Sequence, residues 1–79
     1  MKLEPIQSNM TELTLDNGIR VLFSYKTPVA CELKNGYYKT AKKWSNTTTR
    51  HVNKWLNGSP ATLADQAFFD DIMNGSFQQ

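Results

Sequence analysis

Cys31 and His51 are the one thiol–imidazole pair this chain offers. Nucleophilic catalysis would need them within hydrogen-bond reach, with something lowering the thiol pKa. Cys31 alternates in phase with Val29 and Leu33, the pattern of a small buried core residue. His51 follows Arg50 in a helical segment and is expected to be a partly exposed helix residue. One Cys and one His cannot furnish a structural zinc site, and Asp65, Asp70 and Asp71 lack the loop spacing of a calcium site. Asp70 and Asp71 are adjacent, so on a helix their carboxylates point about 100° apart and do not converge. Gly18, Gly36, Gly58 and Gly75 each sit where a turn or a helix end needs one, which leaves no glycine-rich phosphate loop. A non-enzymatic protein with no metal and no cofactor is expected.

Charge supplies the remaining chemistry. Of nine basic residues, all but Lys2 lie between Arg20 and Lys54, interleaved with Phe23, Tyr25, Tyr37, Tyr38, Trp44 and Trp55. Glu32 is the lone acid of that block; Glu4, Glu12 and Asp16 precede it or stand at its start, and Asp65, Asp70 and Asp71 follow it. The net charge of +2 is small, so the segregation of charge, more than its sum, marks where a polyanion would dock. Lys39, Lys43, Arg50 and Lys54, with Thr47 and Asn53 as neutral donors, are the expected phosphate contacts. Tyr37 or Tyr38, whichever faces outward, is expected to stack on an unpaired base. The competing reading is a solvated face that keeps a small domain soluble.

The elements that must hold these residues follow from periodicity. Residues 1–9 contain Pro5, show no alternation and read as a flexible N-terminal arm. Residues 10–75 form one α+β domain, and 76–79 a C-terminal tail. Met10–Leu15 and Ile19–Tyr25 alternate around Asp16-Asn17-Gly18, and a three-residue loop with Gly18 as a left-handed bulge keeps Leu13 beside Val21 and Leu15 beside Ile19. Thr27-Pro28 interrupts the pattern. A second hairpin around Asn35-Gly36 would set Leu33 beside Tyr38, Cys31 beside Thr40 and Glu32 across from Lys39. Ser45 or Asn46 caps a helix over 47–57 that ends at Gly58, and a second helix starts near Ser59-Pro60 and reaches Asn74. The expected architecture is two β-hairpins in a four-stranded antiparallel sheet, followed by two helices packed on one face.

Those two helices do not make a DNA-reading helix-turn-helix, because the second carries Asp65, Asp70 and Asp71 and no Lys or Arg. Asp65, Phe69, Asp70, Asp71 and Met73 instead suggest an acidic second contact surface for a basic protein or a second copy of the chain. No apolar run approaches the roughly 18 residues of a membrane span. The N-terminal residues lack the apolar stretch of a secretory signal and the single cysteine excludes an internal disulfide, so a reducing cytosol is expected.

Ser24-Tyr25-Lys26-Thr27-Pro28-Val29-Ala30, Gly36-Tyr37-Tyr38-Lys39-Thr40 and Lys43-Trp44-Ser45-Asn46-Thr47-Thr48-Thr49-Arg50-His51-Val52-Asn53-Lys54-Trp55-Leu56 resemble a family of short uncharacterised proteins from phages and other mobile elements. The resemblance covers about Arg20 to Asn57 and implies a phage origin and a bacterial cytoplasm, with no catalytic residue to carry over. The leading expectation is an accessory protein that binds nucleic acid or a nucleoprotein through the basic block. The alternatives are an inhibitor of a host defence or transcription factor, acting through the acidic helix, and a small structural or homodimeric component.

Overall fold

The computed structural model describes residues 2–42 and 45–74. Its first hairpin joins β2 (Met10–Thr14) to β3 (Arg20–Ser24). Leu13 stands opposite Val21, the Leu15 amide donates to the Ile19 carbonyl (2.8 Å), and Gly18 takes φ +90°, as the three-residue loop requires. The Asn17 side chain closes the turn by accepting from the Ile19 amide (3.1 Å).

The segment expected as a loose arm is instead a strand, β1 (Lys2–Gln7), antiparallel to β2. The bonds Leu15 N–H to Ile19 and Tyr25 N–H to Asn9 show that the odd residues of β2 point their backbone groups at β3, which leaves the even ones for β1. Lys2 and Glu4, opposite Thr14 and Glu12, therefore bond to β2, while Leu3 and Pro5 point their backbone groups away from the sheet. The missing N–H of Pro5 breaks no ladder bond there, which is why a proline-bearing segment can form the edge strand.

Between β3 and β4 (Thr27–Leu33) the chain turns at Tyr25-Lys26, before the expected interruption; Pro28 lies inside β4, where the register slips between Leu22–Ala30 and Phe23–Pro28. β5 (Gly36–Thr40) pairs with β4 two residues away from the expected register: Leu33 faces Gly36, Glu32 faces Tyr37, and Cys31 faces Tyr38. The loop is Lys34-Asn35, and Gly36 closes it at φ +132°, a backbone conformation easy only for glycine. A slip of two preserves every side chain's face, so the hydrophobic pattern could not detect it.

Helix α1 (Asn46–Leu56) is capped by Ser45, whose hydroxyl accepts from the Thr48 amide (3.2 Å), and it ends on left-handed Asn57. Residues Ala61–Ala64, expected in the second helix, instead form β6, parallel to β5. Asp65, well past the expected start near Ser59-Pro60, then caps the shorter helix α2 (Gln66–Met73), its carboxylate accepting from the Phe68 amide (3.0 Å).

Among the described residues the sheet thus has six strands in the order β1-β2-β3-β4-β5-β6, antiparallel except for the last pair. Val52 and Leu56 of α1 pack on Met10, Leu22, Val29 and Ala30, whereas Phe69 and Ile72 of α2 pack on Ile19, Val21, Cys31 and Leu33. Neighbouring residues such as Val21 and Leu22 point to opposite faces, so the helices lie on opposite sides of the sheet. The class is α+β, but the four-stranded antiparallel sheet with both helices on one face is corrected to a three-layer arrangement. A β5-α1-β6 crossover forces this: a parallel return needs a helix between the strands, and that helix fills one face.

Candidate nucleic-acid interface

The structure divides the expected phosphate contacts. Lys39 on β5 and Asn53 on α1 line a cleft of about 320 Å³ with Lys42, Thr49 and Leu63. Arg50 is exposed on the crown of α1, and Thr47 and Lys54 lie on its other flank, where the Lys54 ammonium donates to the Gln7 side chain. Asn53 and Lys54 are consecutive and so point about 100° apart. The six residues therefore form a broad basic face with a cleft along one side, not a convergent pocket. Lys43 and the tail 76–79 lie outside the described residues.

The tyrosines expected to stack on a base are both engaged inside the fold. Tyr37 packs edge-on against Trp55 (5.7 Å between centroids), and Tyr38 packs against Phe68 (5.0 Å). The acidic contact surface also loses its apolar anchors: Phe69 is 0% exposed, Met73 is half-buried against the same core, and the Asp65 carboxylate serves as the helix cap. Asp65, Asp70 and Asp71 remain exposed, Asp65 with its carboxylate engaged by the helix.

Two polar clusters escape sequence reasoning. In the first, Arg20 Nε donates to Glu32 (2.6 Å), Nη1 to Glu12 (3.4 Å) and Nη2 to the Tyr37 hydroxyl (3.5 Å), while the Trp55 indole donates to Glu12 (2.8 Å). The guanidinium also lies 5.7 Å from the centre of the Trp55 ring. Glu32 is therefore paired with Arg20 on β3, not with Lys39, because the observed register sets it between Arg20 and Tyr37.

The hydrogen bond from Arg20 holds the Glu32 carboxyl below its ordinary value of 4.5, with Tyr37 adding to the effect and burial opposing it. A depressed carboxylate contributes stability that is full above the unfolded value and is lost as pH falls through the folded one. Arg20→Ala is expected to lower the urea midpoint at about pH 7, with the gap to the natural chain narrowing towards about pH 3. A gap of equal size at both ends would show that the ion pair contributes nothing.

In the second cluster the Ser24 hydroxyl lies 2.8 Å from His51 Nδ1 and 2.9 Å from the Thr48 hydroxyl. His51, expected to be partly exposed, is only 4% exposed, and Ser24 and Thr48 are buried with it. A hydroxyl bonded to an imidazole is the geometry of a nucleophile with its base. Here both partners are closed in, and Ser24 is shared with Thr48, so the cluster ties α1 to β3. The signal for it was present in Leu22, which shares a face with Arg20 and Ser24 and marks that face as covered.

Burial pushes the Cys31 thiol up to about 12, far from the thiolate that catalysis or metal binding would use. Among the described residues no three His, Cys, Asp or Glu side chains come together in a way that could hold a metal ion. No helix among them is long and apolar enough to cross a membrane.

Fold and surface together define a small three-layer α+β protein whose α1 face carries a basic surface and a shallow cleft. The chain belongs to a family of unknown function (DUF8033), whose sequence profile matches residues 1–71. The match takes in residues 1–19 and 58–71, which the phage-protein resemblance left out. Comparison with curated proteins and with solved structures finds no match.

Proposed function

We propose that this protein is a non-enzymatic accessory factor of phage or mobile-element origin that works in the bacterial cytoplasm and binds nucleic acid, free or within a nucleoprotein, by neutralising phosphates. The observation that carries this reading is the separation of charge across the sheet. On the α1 side the acids are largely engaged locally: Glu4 pairs with Lys2 at 2.8 Å, and Glu12 and Glu32 share the single charge of Arg20. Lys39, Arg50 and Lys54 then set the sign of that face, while Asp65, Asp70 and Asp71 belong to the helix on the opposite side. A polyanion approaching α1 meets positive charge, with the acidic helix shielded behind the sheet.

Binding of labelled DNA and RNA is expected at about 50 mM salt, weakening as salt rises because counterions are released. Neutralising Lys39, Arg50 and Lys54 together should lower affinity for all sequences alike and flatten the salt dependence by about one unit of slope for each phosphate that is no longer neutralised. Binding that is absent at low salt, or unchanged in the triple variant, overturns the proposal. Loss of function on charge reversal at Asp70 and Asp71, with the triple variant still fully active, would point to a host-protein partner instead.

A further inference from the structure

Among the described residues, three other than glycine have positive φ: Asn9, Tyr25 and Asn57, at 62°, 59° and 51°. Asparagine tolerates that region, whereas a bulky aromatic there is an outlier. Tyr25 opens the two-residue turn between β3 and β4, where Ser24 faces Thr27, and glycine is the favoured residue when the first turn position has positive φ. Its amide is anchored by a 2.7 Å bond to the Asn9 carbonyl. In this conformation the residue is 52% exposed, next to Lys26.

The position of that ring gives the outlier a use. Tyr25 forms a wall of two grooves: one of about 280 Å³ with Ser24, Thr27, Ser45 and Thr48, and one of about 310 Å³ with Leu3, Phe23 and Lys26. The hydroxyl-lined groove shares Thr48 with the cleft that holds Lys39, Lys42 and Asn53. Tyr25 and the hydroxyl-lined groove thus lie on the α1 side of the sheet with the basic face, while Lys26 borders the second groove, whose Phe23 belongs to the α2 side. Aromatic faces that take up unpaired bases, beside cations that track the backbone, are how single strands are held without base-edge readout. Bases in a duplex are stacked on one another and cannot lie on the ring.

We propose that Tyr25 is a stacking platform for an unpaired base, so that the polyanion on the basic face is single-stranded nucleic acid. The inference rests on the nucleic-acid reading above and adds the choice of strand. The residue expected from the sequence to stack, Tyr37 or Tyr38, is replaced in this role by an aromatic that the fold holds outward at a conformational cost.

The test uses the full chain with a fluorescent single strand of about 12 nucleotides and the matching duplex, read by anisotropy. Tyr25→Gly is expected to weaken single-strand binding by about tenfold or more and leave duplex binding unchanged. Its Tm should equal or exceed that of the natural chain, since glycine takes the positive φ without strain. Tyr25→Phe should keep both the affinity and the preference for single strands. If Tyr25→Gly binds the single strand as tightly as the natural chain, stacking is overturned while the basic face stands. A glycine variant that melts well below the natural chain, with Tyr25→Phe binding no better than it, makes Tyr25 a lid over His51, whose ring centre is 6.2 Å away, and also overturns the proposal. Failure of the natural chain to bind either strand form overturns this inference and the nucleic-acid reading together.

Discussion

Phe69→Ala is expected to lower the unfolding free energy by about 3–5 kcal/mol and Tm by more than about 10 °C. Phe69 has no exposed surface, packs on Ile19, Val21, Cys31 and Leu33, and meets Phe68 edge-on with centroids 5.4 Å apart. Truncation removes the ring's burial and leaves a cavity that the surrounding strands cannot fill, because sheet ladders resist collapse more than loops do. A small domain with a total stability near the low end of about 5–15 kcal/mol would be left close to unfolding. Neutralising Asp70 or Asp71, one and two residues away and exposed, should change stability by no more than about 0.5 kcal/mol. Urea unfolding followed by far-ultraviolet circular dichroism gives both numbers. A cost below about 1 kcal/mol for Phe69→Ala would mean that α2 does not cover this face of the sheet.

Ser24→Ala is expected to cost about 1–3 kcal/mol, a large effect for the loss of one oxygen. The hydroxyl links His51 and Thr48 inside the layer between α1 and β3, and without it both partners stay buried and lose a hydrogen bond. The Ser45 hydroxyl, which donates to Thr48 at 3.3 Å, can repair only the Thr48 side. His51 has no such substitute from Ser45, so most of the cost should arise at the imidazole. A double-mutant cycle over Ser24 and His51 isolates this coupling, and a value near zero would remove the cluster as the lock between helix and sheet. The denaturant slope should stay constant throughout, since the change lies in the strength of packing and not in the surface exposed on unfolding.

Which parts of this protein were legible before its structure depended on how far apart the deciding residues lie. The loop Asp16-Asn17-Gly18 and its pairing of Leu13 with Val21 could be read because the turn residues and two alternating strands sit within a few positions of one another. A cap at Ser45 or Asn46 and a helix end near Gly58 were legible for the same reason, and the structure selects Ser45 and ends the helix at Asn57. β1 and β6 were not. Neither alternates usefully, each holds its extended form through a partner strand, and Ala61–Ala64 would suit a helix equally well in isolation. His51 and Phe69 were misplaced because a sheet covered on both faces buries residues that a one-sided sheet would expose.

The sequence by itself determined that basic and acidic residues occupy separate stretches, that Cys31 is a core residue, and which side chains share a face along β2 and β3. These are properties of composition and of the two-residue strand period. In β4 the register slip puts Val29 on the α1 side and Cys31 with Leu33 on the α2 side, against the expected alternation. Tertiary structure alone decided that the acidic helix lies behind the sheet, that Glu32 belongs to Arg20, that Tyr37 and Tyr38 are spent on packing, and that Tyr25 is held outward. The parallel β5-α1-β6 crossover and the two-residue register choice between β4 and β5 set these outcomes. Both depend on contacts between residues distant in the chain, where local pattern has no influence.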